Sequence, residues 1–319
     1  MDLELRHLKI VRAVAEAGSV TKAATRLGLA QPSLTAQLKR IERTLGGALF
    51  ERDRNGARPT PLGELVLTRA LVLLPAVREL QEEAVRFANT DEGIAGLRIG
   101  ATHGPILGGL VERLTGAHPS TPISTRTSWS STELTTLVSA GRLDFALIGT
   151  CGETPPPAAD VMTWSVVGSD PVFVLLRKDH PLAGEKELEL AALAGEGWAV
   201  APGDGCFADC FAGACARAGF VPKSMYESDV ATCLHLVKVG KAVALCQATF
   251  ELTAELVMVP IAGTPLRWRH LLGWHSDSVA ARAAPSVADH AREAYADAIG
   301  RSTLYAGWLE ANPEFGTSP

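Results

Sequence analysis

Gln31, Ser33, Thr35 and Gln37 are side chains that can donate to and accept from base edges in a nucleic-acid major groove, and Lys39 and Arg40 follow within reach of phosphates. A second group able to do chemistry is made of sulfur. Cys206, Cys210, Cys215, Cys233 and Cys246 cluster in one stretch, and Gly203-Asp204-Gly205 places Cys206 at the start of an expected helix, where the dipole lowers a thiol's pKa. Cys206 and Cys210, at i and i+4, could also be two metal ligands, but His235, His270 and His275 lack a ligand spacing, so no metal and no cofactor is expected.

The first group needs a helix to carry it. Leu5, Leu8, Val11, Val14 and Ala15 recur at helical spacing before Gly18, which predicts a helix ending near Ala17. Ser19 is suited to cap a second helix, with Val20, Ala23, Ala24 and Leu27 on a narrow face and Gly28 as its stop. Pro32 lies in the first turn of a third, whose Leu34, Leu38, Ile41 and Leu45 share one face and leave the polar group largely outside it. Two short helices and a tight glycine turn make a helix-turn-helix. Downstream, Asn55-Gly56 is a hairpin signal that would present Arg52, Arg54 and Arg58 as a basic wing tip.

The charge distribution supports this division. The 319 residues carry a net charge of −5, with 30 Lys/Arg against 35 Asp/Glu. Residues 1–60 hold eleven of those bases and six of those acids, so that end is basic and the remainder acidic. This is the footprint of a nucleic-acid-binding module joined to something else, although a solvated basic surface would give the same balance.

Several motifs then occur in order: Gly18-Ser19-Val20-Thr21-Lys22-Ala23-Ala24, Gln31-Pro32-Ser33-Leu34-Thr35, Leu49-Phe50-Glu51-Arg52 and Thr60-Pro61-Leu62-Gly63. Together they resemble the DNA-binding domain of LysR-type transcriptional regulators. Ala30 stands where that family usually has Ser, which removes a side-chain cap. The resemblance implies double-stranded DNA with a pseudo-palindromic operator as partner. The expected DNA-contacting residues are Thr21, Lys22, Gln31, Pro32, Ser33, Thr35, Gln37, Lys39, Arg40, Arg52, Arg54 and Arg58.

From Thr60-Pro61 an apolar stripe runs through Leu62, Leu65, Val66, Val72, Leu73, Ala76, Leu80, Ala84 and Phe87, with Pro75 inside it. The resemblance implies a dimerising linker helix over 61–92. The stripe would otherwise pack on the chain's own core. A homodimer, and a homotetramer built from it, are the expected assemblies, and RNA polymerase is a further partner the family admits.

Beyond the linker, apolar strands at Leu97–Gly100, Ile123–Thr127, Phe145–Ile148, Val172–Leu176, Trp198–Val200 and Ala242–Leu245 alternate with helices at Ile106–Leu114, Glu133–Ala140, Phe207–Ala218 and Val230–Val239. The alternation predicts parallel α/β sheets. The family resemblance continues through Gly141-Arg142-Leu143-Asp144 and Gly240-Lys241-Ala242-Val243-Ala244-Leu245. It implies a two-lobed effector domain of the periplasmic-binding-protein type over 93–305, with lobe one at 93–161 and 265–305, lobe two at 162–264, and a loosely ordered tail over 306–319.

In such a fold a small effector, with a carboxylate as one candidate, sits between the lobes at strand ends and helix N-termini. The segments landing there supply Thr102, His103, Ser130, Ser131, Thr150, Cys151, Cys206, Phe207, Ser228 and Asp229, with helix capping as the alternative for Thr102, Ser130 and Ser131.

The Cys206 and Cys215 spacing resembles the reactive pair of OxyR-type peroxide sensors, a branch of the same family. Gly205 replaces that branch's usual His, and Cys210 is additional. Nine residues of helix separate Cα atoms by about 13.5 Å, whereas a disulfide needs under about 7 Å. Bridging this pair would therefore require local unfolding, and buried packing is the competing role for these thiols.

Other classes are disfavoured. No apolar run of about 18 residues exists to span a membrane, and no secretory signal pattern opens the chain, so a cytoplasmic location is expected. An enzyme or a solute-binding protein would leave the basic helix-turn-helix unexplained, and no Gly-x-Ser-x-Gly elbow, Walker loop or paired-His motif supports catalysis.

Overall fold

A computed structural model describes residues 3–53, 56–88 and 96–317, in two compact units that divide near Asn89. The N-terminal unit opens with α1 (Leu5–Ala17), α2 (Val20–Leu27) and α3 (Gln31–Leu45). Each ends at a glycine in the left-handed region, Gly18, Gly28 and Gly46, and the first two stop where the sequence predicts. The Ser19 hydroxyl accepts from the Lys22 amide, whereas Ala30, at the cap of α3, offers no side-chain acceptor.

A two-stranded wing follows, β1 (Phe50–Asp53) paired antiparallel with β2 (Gly56–Pro59). The wing is tied to the helices by the Ala57 amide, which donates to the Gly18 carbonyl at 2.8 Å. A Cβ on Gly56 would lie 2.3 Å from that same carbonyl oxygen, so only glycine allows this approach.

The long helix α4 (Pro61–Ala88) divides the apolar stripe between two roles. Val66, Ala70 and Leu74 are buried against Leu8, Val11, Leu34 and Leu38, with Leu62 packed beside them, so part of the stripe completes the unit's own core. Leu65, Val72, Leu73 and Leu80 remain exposed, as does Leu71; Val72 keeps 67% of its surface. The stripe read as one face is thus two faces, because Val66 turns inward while its neighbour Leu65 turns out. The side chain of Phe87 and residues 89–92 of the expected linker lie outside the described residues.

The C-terminal unit is organised around one strand, β6 (Met162–Arg177), which belongs to two sheets. Its first part pairs antiparallel with β11 (Arg267–His275), which also pairs with β5 (Phe145–Cys151). Beyond β5 lie β3 (Leu97–Ala101) and β4 (Ile123–Thr127), both parallel. The second part of β6 pairs with β9 (Val243–Gln247) and β10 (Leu256–Val259), and β9 leads on to β7 (Gly197–Val200) and β8 (Ser224–Glu227). The first sheet packs α5 (Ile106–Ala117), α6 (Ser131–Ser139) and α9 (Ala284–Arg301). The second packs α7 (Phe207–Arg217) and α8 (Val230–Lys238).

Two expectations are corrected here. The sheets are mixed rather than purely parallel, since β6, β10 and β11 run antiparallel to their neighbours. The change of lobe falls between Pro171, opposite Arg267, and Val172, opposite Gln247, not at 161/162.

The expected loose tail is also ordered as far as Thr317. Helix α10 (Thr303–Leu309) buries Tyr305, and Trp308 meets Phe173 edge-on at 5.8 Å. Strand β12 (Gly316–Thr317) then pairs with Ser169 and Gly168 of β6, and the Arg267 guanidinium lies over the Phe315 ring at 4.1 Å. Tyr305, Trp308 and Leu309 stand at helical spacing, an apolar set that resists being left in water.

At the crossing of β6 sits a buried polar knot. The fully buried Asp170 carboxyl accepts from Tyr295 and, at 3.3 Å, from Thr249, and it lies 2.9 Å from His270 Nε2. Tyr295 is also within 3.1 Å of Tyr305, whose hydroxyl donates to the Ser169 carbonyl at 3.2 Å. Burial next to Asp170 pushes both phenols well above their ordinary range.

Candidate functional site

The N-terminal unit presents the expected polar surface on α2 and α3. Thr21 and Lys22 are exposed on α2, and Gln31, Pro32, Ser33, Lys39 and Arg40 are exposed on α3, whose Leu34, Leu38 and Ile41 are buried. Thr35 and Gln37 are half-buried and already engaged: the Thr35 hydroxyl donates to the Gln31 carbonyl at 2.9 Å, and the Gln37 amide donates to the Ser33 hydroxyl at 3.4 Å. Arg58 is exposed on β2. Arg54 and the side chain of Arg52 lie outside the described residues.

The C-terminal unit contains a cavity of about 250 Å³ between its two sheets. Thr102, His103, Ser131 and Phe207 line it, as expected. Sequence reasoning missed Trp129, Gln247 and Trp268. Trp129 stacks on His103 at 3.8 Å between ring centroids, and Trp268 lies across Gly149, where a Cβ would fall 2.1 Å from the indole. The Gln247 side-chain carbonyl is buried without a partner. Gln247 ends β9 and Trp268 is the second residue of β11; only the antiparallel crossover brings them together, and no local motif marks either one.

Ser130, Thr150, Cys151, Cys206, Ser228 and Asp229 do not line this cavity. Ser130 caps α6, accepting from the Glu133 amide at 2.8 Å, and Asp229 caps α8, accepting from the Thr232 amide at 3.0 Å. The Ser228 amide donates to the Val200 carbonyl at 3.0 Å. Thr150 is buried within β5. The N-terminus of α6, expected to receive an anionic ligand, already holds one: Asp204 accepts from the Ser130 hydroxyl and, at 2.8 Å, from the Ser131 amide.

Cys151 and Cys206 meet each other instead. The Cys151 amide donates to Cys206 Sγ at 2.9 Å. Hydrogen bonding to Cys151 holds the Cys206 thiol down at about 6, and the same contact, reinforced by burial, pushes Cys151 far up. Cys215 is fully buried beside Phe211 and Trp198, and that burial raises it to about 11. Helix α7 runs unbroken from Cys206, its cap, through Cys215, so the two members of the expected redox pair stay on separate turns.

Two family models match the chain, one described as "Bacterial regulatory helix-turn-helix protein, lysR family" over residues 5–64 and one as "LysR substrate binding domain" over residues 93–296. A small neutral protease regulatory protein of Streptomyces coelicolor is 37% identical over 313 residues, covering 97% of this chain and 98% of the relative. The transcriptional regulator ShiR of Corynebacterium glutamicum is 30% identical, covering 86% and 94%. Among solved structures, CbnR complexed with its target DNA matches with a TM-score of 0.65 at 22% identity, covering 92% of this chain and 100% of that one. A mutant of Corynebacterium glutamicum OxyR matches with a TM-score of 0.59 at 24% identity, covering 97% and 95%. At such identities the structures establish the fold.

Proposed function

This chain belongs to the LysR family of DNA-binding transcriptional regulators, and on that premise we propose that its trigger is a small, largely apolar or aromatic effector carrying a hydrogen-bond donor. The observation that carries this reading is the unpaired Gln247 carbonyl within a cavity walled by Trp129, Phe207 and Trp268. A buried acceptor without a donor is costly, and a ligand hydroxyl or amine would satisfy it while its ring fills the aromatic walls. A simple carboxylate is the poorer candidate, because Asp204 occupies the helix N-terminus that would attract one.

Ligand held between the two sheets alters regulation only by favouring one arrangement of the lobes over another. In this reading Gln31, Ser33 and the polar face of α3 read the operator, Lys22, Lys39, Arg40 and the wing arginines hold the phosphates, and the exposed row Leu65, Val72, Leu73 and Leu80 of α4 pairs two copies on successive half-sites. The protein carries out regulation rather than catalysis and acts where chromosomal DNA lies.

The test is a panel of phenols, aromatic amines and aromatic carboxylates titrated against tryptophan fluorescence, followed by footprinting of the chain's own upstream region. Phenols or amines should quench and change the footprint, and Gln247→Ala should weaken them at least tenfold. Preferential binding of the carboxylates, or binding unaffected by Gln247→Ala, would overturn the effector assignment.

A further inference from the structure

Three thiols stand outside both the DNA face and the effector cavity. Cys151 ends β5 of the first lobe; Cys206 caps α7 of the second, and Cys210 follows one turn later on the same side. Although Cys151 is 55 positions away in sequence from Cys206, the Sγ atoms of all three lie within 4.8 Å of one another. We propose that Cys151, Cys206 and Cys210 form a binding site for a thiophilic metal ion, which would clamp β5 of one lobe to α7 of the other through three sulfur ligands.

The spacing suits coordination. Metal–sulfur bonds of about 2.3 Å set sulfurs about 3.8–4.0 Å apart in a tetrahedral or trigonal site, so the triad needs to contract by less than about 1 Å. An all-sulfur donor set selects soft ions such as Zn²⁺ or Cu⁺ over Mg²⁺ or Ca²⁺. The Cys151 amide already donates to Cys206 Sγ, the kind of outer bond that orients a thiolate ligand.

Access is also present. A second cavity, of about 360 Å³, is lined by Cys151, Gly152, Thr154 and Cys210, with Glu153 and Asp209 balanced by Arg217 and Arg267, and it leaves room for an ion to enter and for water as a fourth ligand. The other thiols lack these features. Cys215 and Cys233 are buried in apolar clusters, and among the described residues neither belongs to a group of three ligand atoms this close together. Each thiol that enters coordination as thiolate exchanges its S–H bond for a metal–sulfur bond and releases its proton to solvent.

The site does not depend on the effector reading and is tested separately from it. Fully reduced, full-length protein would be titrated with Zn²⁺ under argon against a chromophoric chelator, and with Co²⁺ as a spectroscopic probe. We expect one ion per chain, a thiolate-to-cobalt charge-transfer band, protection of three of the six cysteines from a thiol reagent, and at least a hundredfold weaker binding in Cys206→Ser and Cys210→Ser, with Cys233→Ser unchanged. X-ray absorption on the zinc-loaded wild type counts the sulfur neighbours without relying on a variant's folding. A shell of nitrogen and oxygen only, or affinity unchanged in Cys206→Ser, would overturn the site. Failure to bind Zn²⁺ combined with a peroxide-formed Cys151–Cys206 disulfide would also overturn it and assign the pair to redox chemistry.

Discussion

The two units place their polar side chains by opposite means. On α3 the groups that face solvent sit beside each other in sequence, and their partners are a turn away: Thr35 with Gln31, Gln37 with Ser33. In the C-terminal unit Asp170 finds Thr249, His270 and Tyr295, each far along the chain, at the point where β6 passes from one sheet to the other. The first arrangement costs little to disturb because water replaces any lost partner. The second lies in a low-dielectric interior, where an orphaned group keeps the full penalty of desolvation.

Asp170→Ala should therefore have the largest effect of any single change considered. Each buried group left without its partner typically costs about 1–3 kcal/mol, and here Thr249, His270 and Tyr295 would all lose one. Gln37→Ala on α3 should change stability by no more than about 0.5 kcal/mol. Denaturant unfolding of the full chain, with the two units followed by separate probes, decides the matter; comparable losses in both variants would erase the distinction.

The thiols extend the same contrast to reactivity. In protein freed of metal by a chelator, alkylation of Cys206 should rise through about pH 6 and level off above it, since its thiolate is the reactive form and forms early. Cys215, raised to about 11 by burial, should stay protonated and inert across that range. Mass spectrometry of labelled peptides as a function of pH separates them, and a Cys206 midpoint near that of an ordinary thiol would show that the Cys151 contact does not act in solution.

On the DNA face the effects are smaller and of two kinds. Gln31→Ala should cost about 1–3 kcal/mol against the preferred operator and relax specificity at the base it reads. Lys39→Ala should weaken all sequences alike and lower the salt slope by about 0.9. Binding isotherms on operator and scrambled DNA at several salt concentrations distinguish them, and identical behaviour would remove the division between base reading and phosphate holding.

This difference also governs what could be read in advance. The helices of the N-terminal unit announce themselves because Ser19, Pro32 and the glycines at 18 and 28 act on their own turns, and the strands β3, β5 and β7 announce themselves by short apolar runs. The cavity was half legible: Thr102, His103, Ser131 and Phe207 follow strands at the expected loops, whereas Gln247 and Trp268 reach it only through antiparallel pairing that no local pattern encodes. The same reason hid the third thiol. Cys206 and Cys210 share a helix and could be paired on paper, but Cys151 joins them only after the two sheets have formed.

A modest gain rather than a loss tests the local side of the contrast at its weakest point. Ala30 holds the extended backbone of a helix cap, with φ −66° and ψ 135°, yet its methyl group accepts no hydrogen bond from the first turn of α3. A hydroxyl there would meet an amide otherwise left to water, so Ala30→Ser should stabilise the N-terminal unit by about 1 kcal/mol. Its effect should stay within that unit, because the cap acts on α3 alone. Thermal unfolding followed by a probe in each unit measures this directly. A gain in the C-terminal transition, or none in the N-terminal one, would mean that the reading helix is not limited by its own first turn.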